Sequence, residues 1–342
     1  MKTYLVTGGA GFIGSNFIYY IINKYSDIKI MNLDKLTYAG NLSNLKGIKN
    51  NSNYDFIHGD ICDKELVNNI FSNNDIDYVV NFAAETHVDR SINDPEPFVR
   101  TNVLGTVNIL NAAKNAWSTG DGFKEGKKYL QISTDEVYGS LGDTGYFNET
   151  TSIDPHSPYS SSKAGADLIV KSYFDTYKMP INITRCSNNY GAYQFPEKLI
   201  PLIINNCLKY KSLPIYGNGT NVRDWLYVED HCSAIDIVLQ YGKCGEVYNI
   251  GGHNERTNIQ IVKKIINYIN ENKDKEVTER LITYVEDRKG HDMRYGINPK
   301  KIVQELGWHP ETPFEIGIEK TIEWYLQNEE WMNNITSGKY LK

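Results

Sequence analysis

Apolar runs of four to six residues recur along the first half of the chain, separated by longer stretches in which apolar positions return every three or four residues. A short β-branched run without internal alternation predicts a strand buried on both faces of a parallel sheet, and the 3.6-residue rhythm predicts the helices that cover those faces. Strands are expected at 3–7, 28–33, 54–58, 78–82, 129–132 and 181–185. Helices are expected from Ser15 to about Lys24, from Pro97 to about Trp117, and over 159–177 behind the start signal Ser157-Pro158. This alternation predicts an α/β fold built on a doubly wound parallel sheet. From about residue 190 it gives way to helices, short strands and turns, which predicts a smaller α/β substrate-binding lobe. The expected division is a cofactor domain over 1–190, a substrate-binding lobe over 191–330 and a C-terminal tail over 331–342, with a later strand near 246–251 returning to the main sheet.

Composition narrows the function. The chain has 342 residues, 40% hydrophobic and 23% charged, enough for one large and one smaller domain. A net charge of -6 argues against a nucleic-acid partner, so a phosphate on any substrate has to be held by a few local cations. No apolar run approaches the ~18 residues of a membrane span. Met1-Lys2 leads directly into a strand without the pattern of a secretory leader, so a cytoplasmic protein with no membrane partner is expected. The 5 cysteines, Cys62, Cys186, Cys207, Cys232 and Cys244, are scattered and include no C-x-x-C pair. They are expected as buried thiols, with no metal and no disulfide.

The candidate chemistry begins at the first turn. Residues 3–7 run into Gly8-Gly9-Ala10-Gly11-Phe12-Ile13-Gly14 and then into a helix, the order that a Rossmann-type dinucleotide site requires. Glycines serve there because a Cβ would obstruct the tight turn, the approach of a pyrophosphate to the helix N-terminus, and helix–strand packing. Asp34 ends the second strand about twenty residues further on, where a carboxylate accepts hydrogen bonds from an adenosine ribose and repels a 2′-phosphate. NAD is therefore expected over NADP, with the neighbouring Lys35 as the one contrary sign. Asp60 and Ile61 are placed to flank the adenine, Ala83 and Ala84 suit close backbone contact with the cofactor, and Thr86 and His87 follow toward the substrate.

Ser133-Thr134-Asp135-Glu136-Val137-Tyr138-Gly139 leaves the strand at 129–132 at its carboxyl end, the edge where open α/β sheets bind ligands. Two adjacent carboxyl groups resist ionising together, so one can remain protonated as an acid while its neighbour acts as a base. Tyr159 and Lys163, at i and i+4, share one helix face. A free tyrosine titrates near 10, so its use as a base near neutrality requires a lowering of about three units, roughly 4 kcal/mol. Lys163, a positive nicotinamide and the Thr134 hydroxyl are the available sources. Arg223, Arg288 and Lys198 are candidates to hold a diphosphate.

Together, G-x-x-G-x-x-G, S-T-D-E-V-Y-G, Y-S-S-S-K, C-S-N-N-Y-G-A-Y-Q-F-P-E-K-L-I-P, R-D-W-L-Y-V-E-D-H and D-R-K-G-H-D resemble the dTDP-glucose 4,6-dehydratases of the extended short-chain dehydrogenase/reductase superfamily. The resemblance covers residues 1 to about 325. It implies NAD contacts at Gly8, Gly11, Phe12, Ile13, Gly14, at Asp34, Lys35, Leu36 and Thr37, at Asp60 and Ile61, at Phe82, Ala83, Ala84 and Thr86, and at Thr101, Tyr159, Lys163 and Asn189. It implies contacts with a nucleotide sugar at Thr86, Thr134, Asn188, Lys198 and Leu199, at Pro214, Ile215 and Tyr216, at Arg223 and Asn258, and at Asp287, Arg288, Lys289, Gly290 and His291. The chain departs from many members at Ala192 and Lys289, where proline is common.

The reaction so implied turns dTDP-glucose into dTDP-4-keto-6-deoxy-glucose and water, a step of deoxysugar biosynthesis. Tyr159, lowered by Lys163, takes the C4 hydroxyl proton as hydride passes to NAD; Glu136 takes the C5 proton, Asp135 protonates the departing C6 hydroxyl, and hydride returns to C6. Thr134 completes the catalytic set. A dehydratase or 4-epimerase acting on a UDP- or GDP-sugar is the nearest alternative, although an epimerase has no use for an acid and base at 135 and 136. A non-catalytic NAD-binding scaffold is the other. A homodimer is expected because the helices at 97–117 and 159–177 carry apolar residues beyond one face, a pattern that a buried helix shares.

Overall fold

The apolar runs of the first half form β1 (Lys2–Thr7), β2 (Ile28–Asp34), β3 (Tyr54–His58), β4 (Tyr78–Asn81), β5 (Lys128–Thr134) and β6 (Ile181–Cys186). The structure is a computed structural model and describes residues 1–287 and 292–341. Further along the chain come β7 (Asn188–Tyr190), β8 (Leu213–Tyr216), β9 (Val222–Tyr227), β10 (Val247–Ile250), β11 (Glu255–Thr257) and β12 (Ile282–Val285). A 7-stranded sheet runs in the order β10-β6-β5-β4-β1-β2-β3, every neighbouring pair parallel. The chain leaves β1 toward β2 and β3, then returns to β4 on the other side. That reversal opens a crevice beyond the carboxyl ends of β1 and β4, and the register, with Thr7 opposite both Leu33 and Asn81, brings those ends level.

Alternate residues of each strand enter separate cores. Tyr4, Val6, Ile30, Leu130 and Ile132 pack with Phe17, Ile18 and Ile21 of the Phe12–Lys24 helix and with Ile235, Val238 and Leu239 of the Val228–Tyr241 helix. Leu5, Met31, Leu33, Val79, Tyr129 and Ile181 pack on the opposite face with Val67, Ile70, Ile109, Leu110, Trp117 and Val170. The Val228–Tyr241 helix follows residue 190, yet it lies against the first helix of the chain: Lys24 Nζ and Tyr25 Oη meet Asp236 Oδ2 at 2.7 and 2.8 Å. The second lobe holds a β11-β9-β7 sheet, a β12-β8 pair and a core of Ile203, Ile204, Ile215, Ile261, Ile265, Phe314 and Ile318.

Two expected helices differ in detail. The first begins at Phe12 instead of Ser15, because Gly11 caps it in extended conformation and the last loop residues are already helical. The helix expected over 97–117 contains a π-helical segment, Val99–Gly105, ahead of the regular Thr106–Trp117 helix. The widened segment has Asn102 at its centre, which bonds the Glu85 amide and carbonyl (2.8 and 3.0 Å) and Ser162 Oγ (2.8 Å). Among the described residues, no helix is long and apolar enough to cross a membrane and no cluster of side chains could hold a metal ion.

Candidate active site

A single cleft at the carboxyl edge of the sheet collects the loops after β1, β2, β3, β4, β5 and β6. Gly8 has a φ of 70°, and a Cβ there would stand 2.6 Å from Ala83 N; at Gly14 it would stand 2.4 Å from Gly8 O. At Gly11 an added Cβ would meet only Gly8 O, at 3.2 Å, so this side of the turn opens into the cleft. Gly11 caps the 13-residue Phe12–Lys24 helix without a side-chain hydrogen bond. The first amides of that helix thus form a site for a pyrophosphate.

Asp34 Oδ2 accepts from Ala10 N and Oδ1 from Leu36 N, both at 2.8 Å, which fixes its carboxyl group at the end of β2. Burial pushes its pKa up, opposed by those two amides. Lys35 Nζ lies 2.8 Å from Asp60 Oδ2, so the cation that argued for NADP is neutralised by a carboxylate across the cleft. The cradle, the acidic side chain and the neutralised lysine fit NAD. Gly8, Gly11, Phe12, Ile13, Gly14, Asp34, Lys35, Thr37, Asp60, Ile61, Phe82, Ala83, Ala84, Thr86, Thr101, Tyr159, Lys163 and Asn189 all line the cleft. Leu36 adopts a left-handed φ of 55° and packs its side chain on the core beneath.

β5 delivers the acidic pair. Thr134 ends the strand and caps the one-turn helix Asp135–Tyr138, its Oγ1 accepting from Glu136 N at 3.3 Å. Asp135 is only 2% exposed, and its Oδ2 has no hydrogen-bond partner among the described residues. Burial, then the charges of Glu136 and Asp224, push Asp135 well above the usual carboxylate range, with Arg223 and Thr134 opposing. A carboxyl group in that setting gives up its proton less readily than an ordinary aspartate, as an acid catalyst requires.

The Pro158–Tyr177 helix carries the second pair behind a Ser157–Ser160 capping box. Tyr159 is anchored by its amide, which donates to Ser91 Oγ at 3.1 Å. Lys163 Nζ donates to Ile132 O at 2.6 Å. Burial holds Lys163 below its ordinary value, and Asp167 pulls it back up. Tyr159 is pushed well above 10 by burial and by Glu136, with the Thr134 hydroxyl opposing. On the protein's own groups, then, the tyrosine is held neutral, and the lowering expected from Lys163 does not outweigh burial.

The residues expected to hold the sugar nucleotide are dispersed. Thr86, Thr134, Asn188 and Lys198 line the cleft, and Lys198 Nζ bonds Thr86 O at 3.3 Å. Leu199 opens the Leu199–Leu208 helix and packs on the lobe's core. Pro214, Ile215 and Tyr216 form β8, with Ile215 buried and Tyr216 exposed. Asn258 opens the Asn258–Asn272 helix and its amide donates to Asn221 O at 3.1 Å. Asp287 lies against Gly217, where an added Cβ would be 2.9 Å from its Oδ2. Arg223 is buried over the Tyr295 ring, at 4.3 Å from its centroid. It donates to the carbonyls of Val222 (2.8 Å), Asp292 (3.0 Å) and Met293 (3.4 Å). Arg288, Lys289, Gly290 and His291 lie outside the described residues.

The family model described as GDP-mannose 4,6 dehydratase matches residues 5–321. The dTDP-glucose 4,6-dehydratase 1 of Escherichia coli (strain K12) is 51% identical over 347 residues, covering 98% of this chain and 96% of that one. The chain belongs to the dTDP-glucose 4,6-dehydratase family. Two solved members of this dehydratase family bear NAD. That of Bacillus anthracis superposes with a TM-score of 0.88 at 50% identity, over 98% of this chain and 100% of its own. That of Streptomyces venezuelae gives 0.90 at 42%, over 97% and 99%.

For a 4,6-dehydratase, the structure also places residues in the cleft that the sequence reading passed over. Cys186, Gln194, Phe195 and Glu197 line it. Glu197 sits 3.4 Å from His87 and 3.6 Å from Arg90. His231 Nδ1, fully buried, stands 2.9 Å from Asn189 Oδ1 and fixes that amide. A polar residue inside an apolar helix pattern is the signal that His231 offered.

Proposed function

We propose that this chain is an NAD-dependent dTDP-glucose 4,6-dehydratase, a hydro-lyase that releases water and dTDP-4-keto-6-deoxy-glucose. The observation that carries the reading is a buried Asp135 beside Glu136 at the end of β5, its Oδ2 without a hydrogen-bond partner among the described residues, in the same cleft as Tyr159. An epimerase makes no such demand for an acid. Tyr159 is the base assigned to the C4 hydroxyl proton: burial and Glu136 hold its own proton in place, so its Oη can take another only as the anion, which the positive nicotinamide of NAD, when bound, would favour together with the Lys163 ammonium and the Thr134 hydroxyl. Once C4 is a carbonyl, C5–H is acidic, and Glu136 takes that proton. Asp135 gives its proton to the C6 oxygen, the C6–O bond breaks, and water leaves. Glu136 then returns its proton to C5. NAD, when bound, accepts hydride from C4 and gives it back to C6, so the overall reaction is redox-neutral.

Thr86, Asn188 and Lys198 are assigned to the sugar nucleotide on the cleft side. Leu199, Pro214–Tyr216, Arg223, Asn258 and Asp287–His291 are assigned to its nucleotide end, in a lobe taken as 191–330 apart from the helix and strand it returns to the main sheet. A homodimer in the cytoplasm is the proposed state, and its interface would cover Val99, Leu104 and Leu168, which are 54%, 49% and 59% exposed on neighbouring helices. Leu168→Glu should convert the dimer to monomer in light scattering; a monomeric parent would refute the dimer.

The reading is tested with purified protein and dTDP-, UDP- or GDP-glucose, without added reductant. A 4-keto product absorbing in base, formed fastest from dTDP-glucose, is expected. Unchanged dTDP-glucose at full NAD occupancy would overturn the proposal.

A further inference from the structure

Behind Tyr159 and Lys163 lies an ion pair that the reaction as proposed does not use. Asp167 follows Lys163 by four positions on the Pro158–Tyr177 helix, so the two share a face one turn apart. Asp167 Oδ2 accepts from Arg185 Nε of β6 at 2.9 Å, and both side chains are buried. Arg185 also reaches the other way. Its guanidinium lies over the ring of Tyr138, 4.8 Å from the centroid, and Tyr138 belongs to the same one-turn helix as Asp135 and Glu136. Tyr138 Oη donates onward to Asn249 Oδ1 of β10 at 2.8 Å. A buried chain of contacts therefore runs from the helix of the redox pair, through β6, to the turn of the acid–base pair. Asp167 Oδ1 has no hydrogen-bond partner among the described residues. A buried carboxylate oxygen in that position needs positive charge nearby.

We propose that Asp167 and Arg185 are positioning residues for the dehydration, bracing the Tyr159–Lys163 helix against the Asp135–Glu136 turn, with Asp167 also the counter-ion of Lys163. The inference rests on the function proposed above. The titratable and charged groups set against this pair are Cys186 of β6 beside Lys163, Tyr129 of β5 and Arg185 of β6 beside Asp167, and Tyr138 beyond Arg185; Asp135 and Glu136 reach Lys163 only through their neighbours Cys186 and Tyr159. Asp167 supports the charged form of Lys163 against burial. Removing the carboxylate and removing the guanidinium therefore act on Lys163 with opposite sign, whereas both loosen the brace.

The test compares NAD-loaded wild type with Asp167→Asn, Asp167→Glu, Arg185→Met and the Asp167→Asn/Arg185→Met double variant. Readouts are NAD content per chain, kcat, KM for dTDP-glucose and the pH profile of kcat. Asp167→Asn should lower kcat on the order of tenfold to a hundredfold with little change in KM. Its alkaline limb should move down by about one pH unit, because a cation that loses a nearby anion gives up its proton earlier. Arg185→Met should also lower kcat, with its alkaline limb unmoved or moved up, and Asp167→Glu should recover part of the loss. If a single variant leaves a charge unpaired and fails to fold, the double variant removes both together and carries the same expectation of lost kcat. Wild-type kcat and pH profile in Asp167→Asn, or in the folded double variant, overturn the proposal. So does an equal downward limb shift in Arg185→Met, which would assign the effect to packing alone. A wild type that turns over no dTDP-glucose refutes the underlying function instead.

Discussion

Asp135→Asn should abolish dehydration and, at neutral to alkaline pH, stabilise the fold. The side chain is buried, and burial with the charges of Glu136 and Asp224 raises its folded-state pKa well above the ~3.9 of an unfolded aspartate. A group raised in this way contributes its stability fully below about pH 3.9 and loses it as pH climbs toward the folded value, at ~1.4 kcal/mol for each unit of separation. Asparagine has no proton to lose, so the variant escapes that penalty. It also preserves the shape of the site, including an acceptor for the Thr134 hydroxyl, which lies 3.4 Å from Asp135 Oδ1. Loss of a positioned acid lowers the rate by about 10²–10⁴-fold, some 3–5 kcal/mol of barrier. The assay pairs product formation with thermal unfolding of the NAD-loaded proteins at acidic and alkaline pH. The variant's advantage in Tm should grow with pH while the 4-keto product disappears, and reduced nicotinamide should still form on mixing with dTDP-glucose, because C4 oxidation does not use Asp135. A Tm difference independent of pH, or product at the parent rate, would refute the claim that Asp135 is held neutral to act as the acid.

Gly14→Ala would put a Cβ 2.4 Å from Gly8 O, an overpacking that costs about 1–3 kcal/mol and should fall mainly on the pyrophosphate turn; NAD content per purified chain should drop, and full occupancy would contradict the assignment of the turn. Tyr159→Phe should retain NAD and lose about 10²–10⁴-fold in kcat, since its amide anchor to Ser91 is untouched; a small effect on turnover would remove the tyrosine from proton transfer. Asp34→Asn exchanges charge-assisted hydrogen bonds to the ribose, each ~1.5–3 kcal/mol, for neutral ones and removes repulsion toward a 2′-phosphate. Titration with NAD and NADP should show a narrowed preference, and an unchanged ratio would place the discrimination elsewhere.

The site was legible where chemistry follows a strand at once. Thr134, Asp135 and Glu136 leave β5 directly, Asp34 ends β2, and the glycines span the β1 turn, so short chain distance alone fixes them at one sheet edge. The seven-stranded sheet was legible for the same reason, since each of its strands is a local apolar run. Illegible features depend on partners remote in sequence. Arg223 is assigned to the nucleotide end by residue type, and its setting could not be read from the sequence: its guanidinium donates to the carbonyls of Val222, Asp292 and Met293, the last two 69 and 70 positions away, near a buried carboxyl whose rise it opposes. Apolar periodicity runs through Asn102 unchanged, so the π-helical turn shows only once Glu85 and Ser162 are in place. Trp331 of the expected tail donates to Asn44 Oδ1 across 287 positions, which ties that segment to the Leu42–Ile48 helix after β2. The ionisation of Tyr159 belongs with these: the Y-x-x-x-K spacing fixes its position, but burial and then Glu136, from another element, oppose the loss of its proton. Local pattern therefore locates a catalytic group, and the elements packed around it set the charge with which it works.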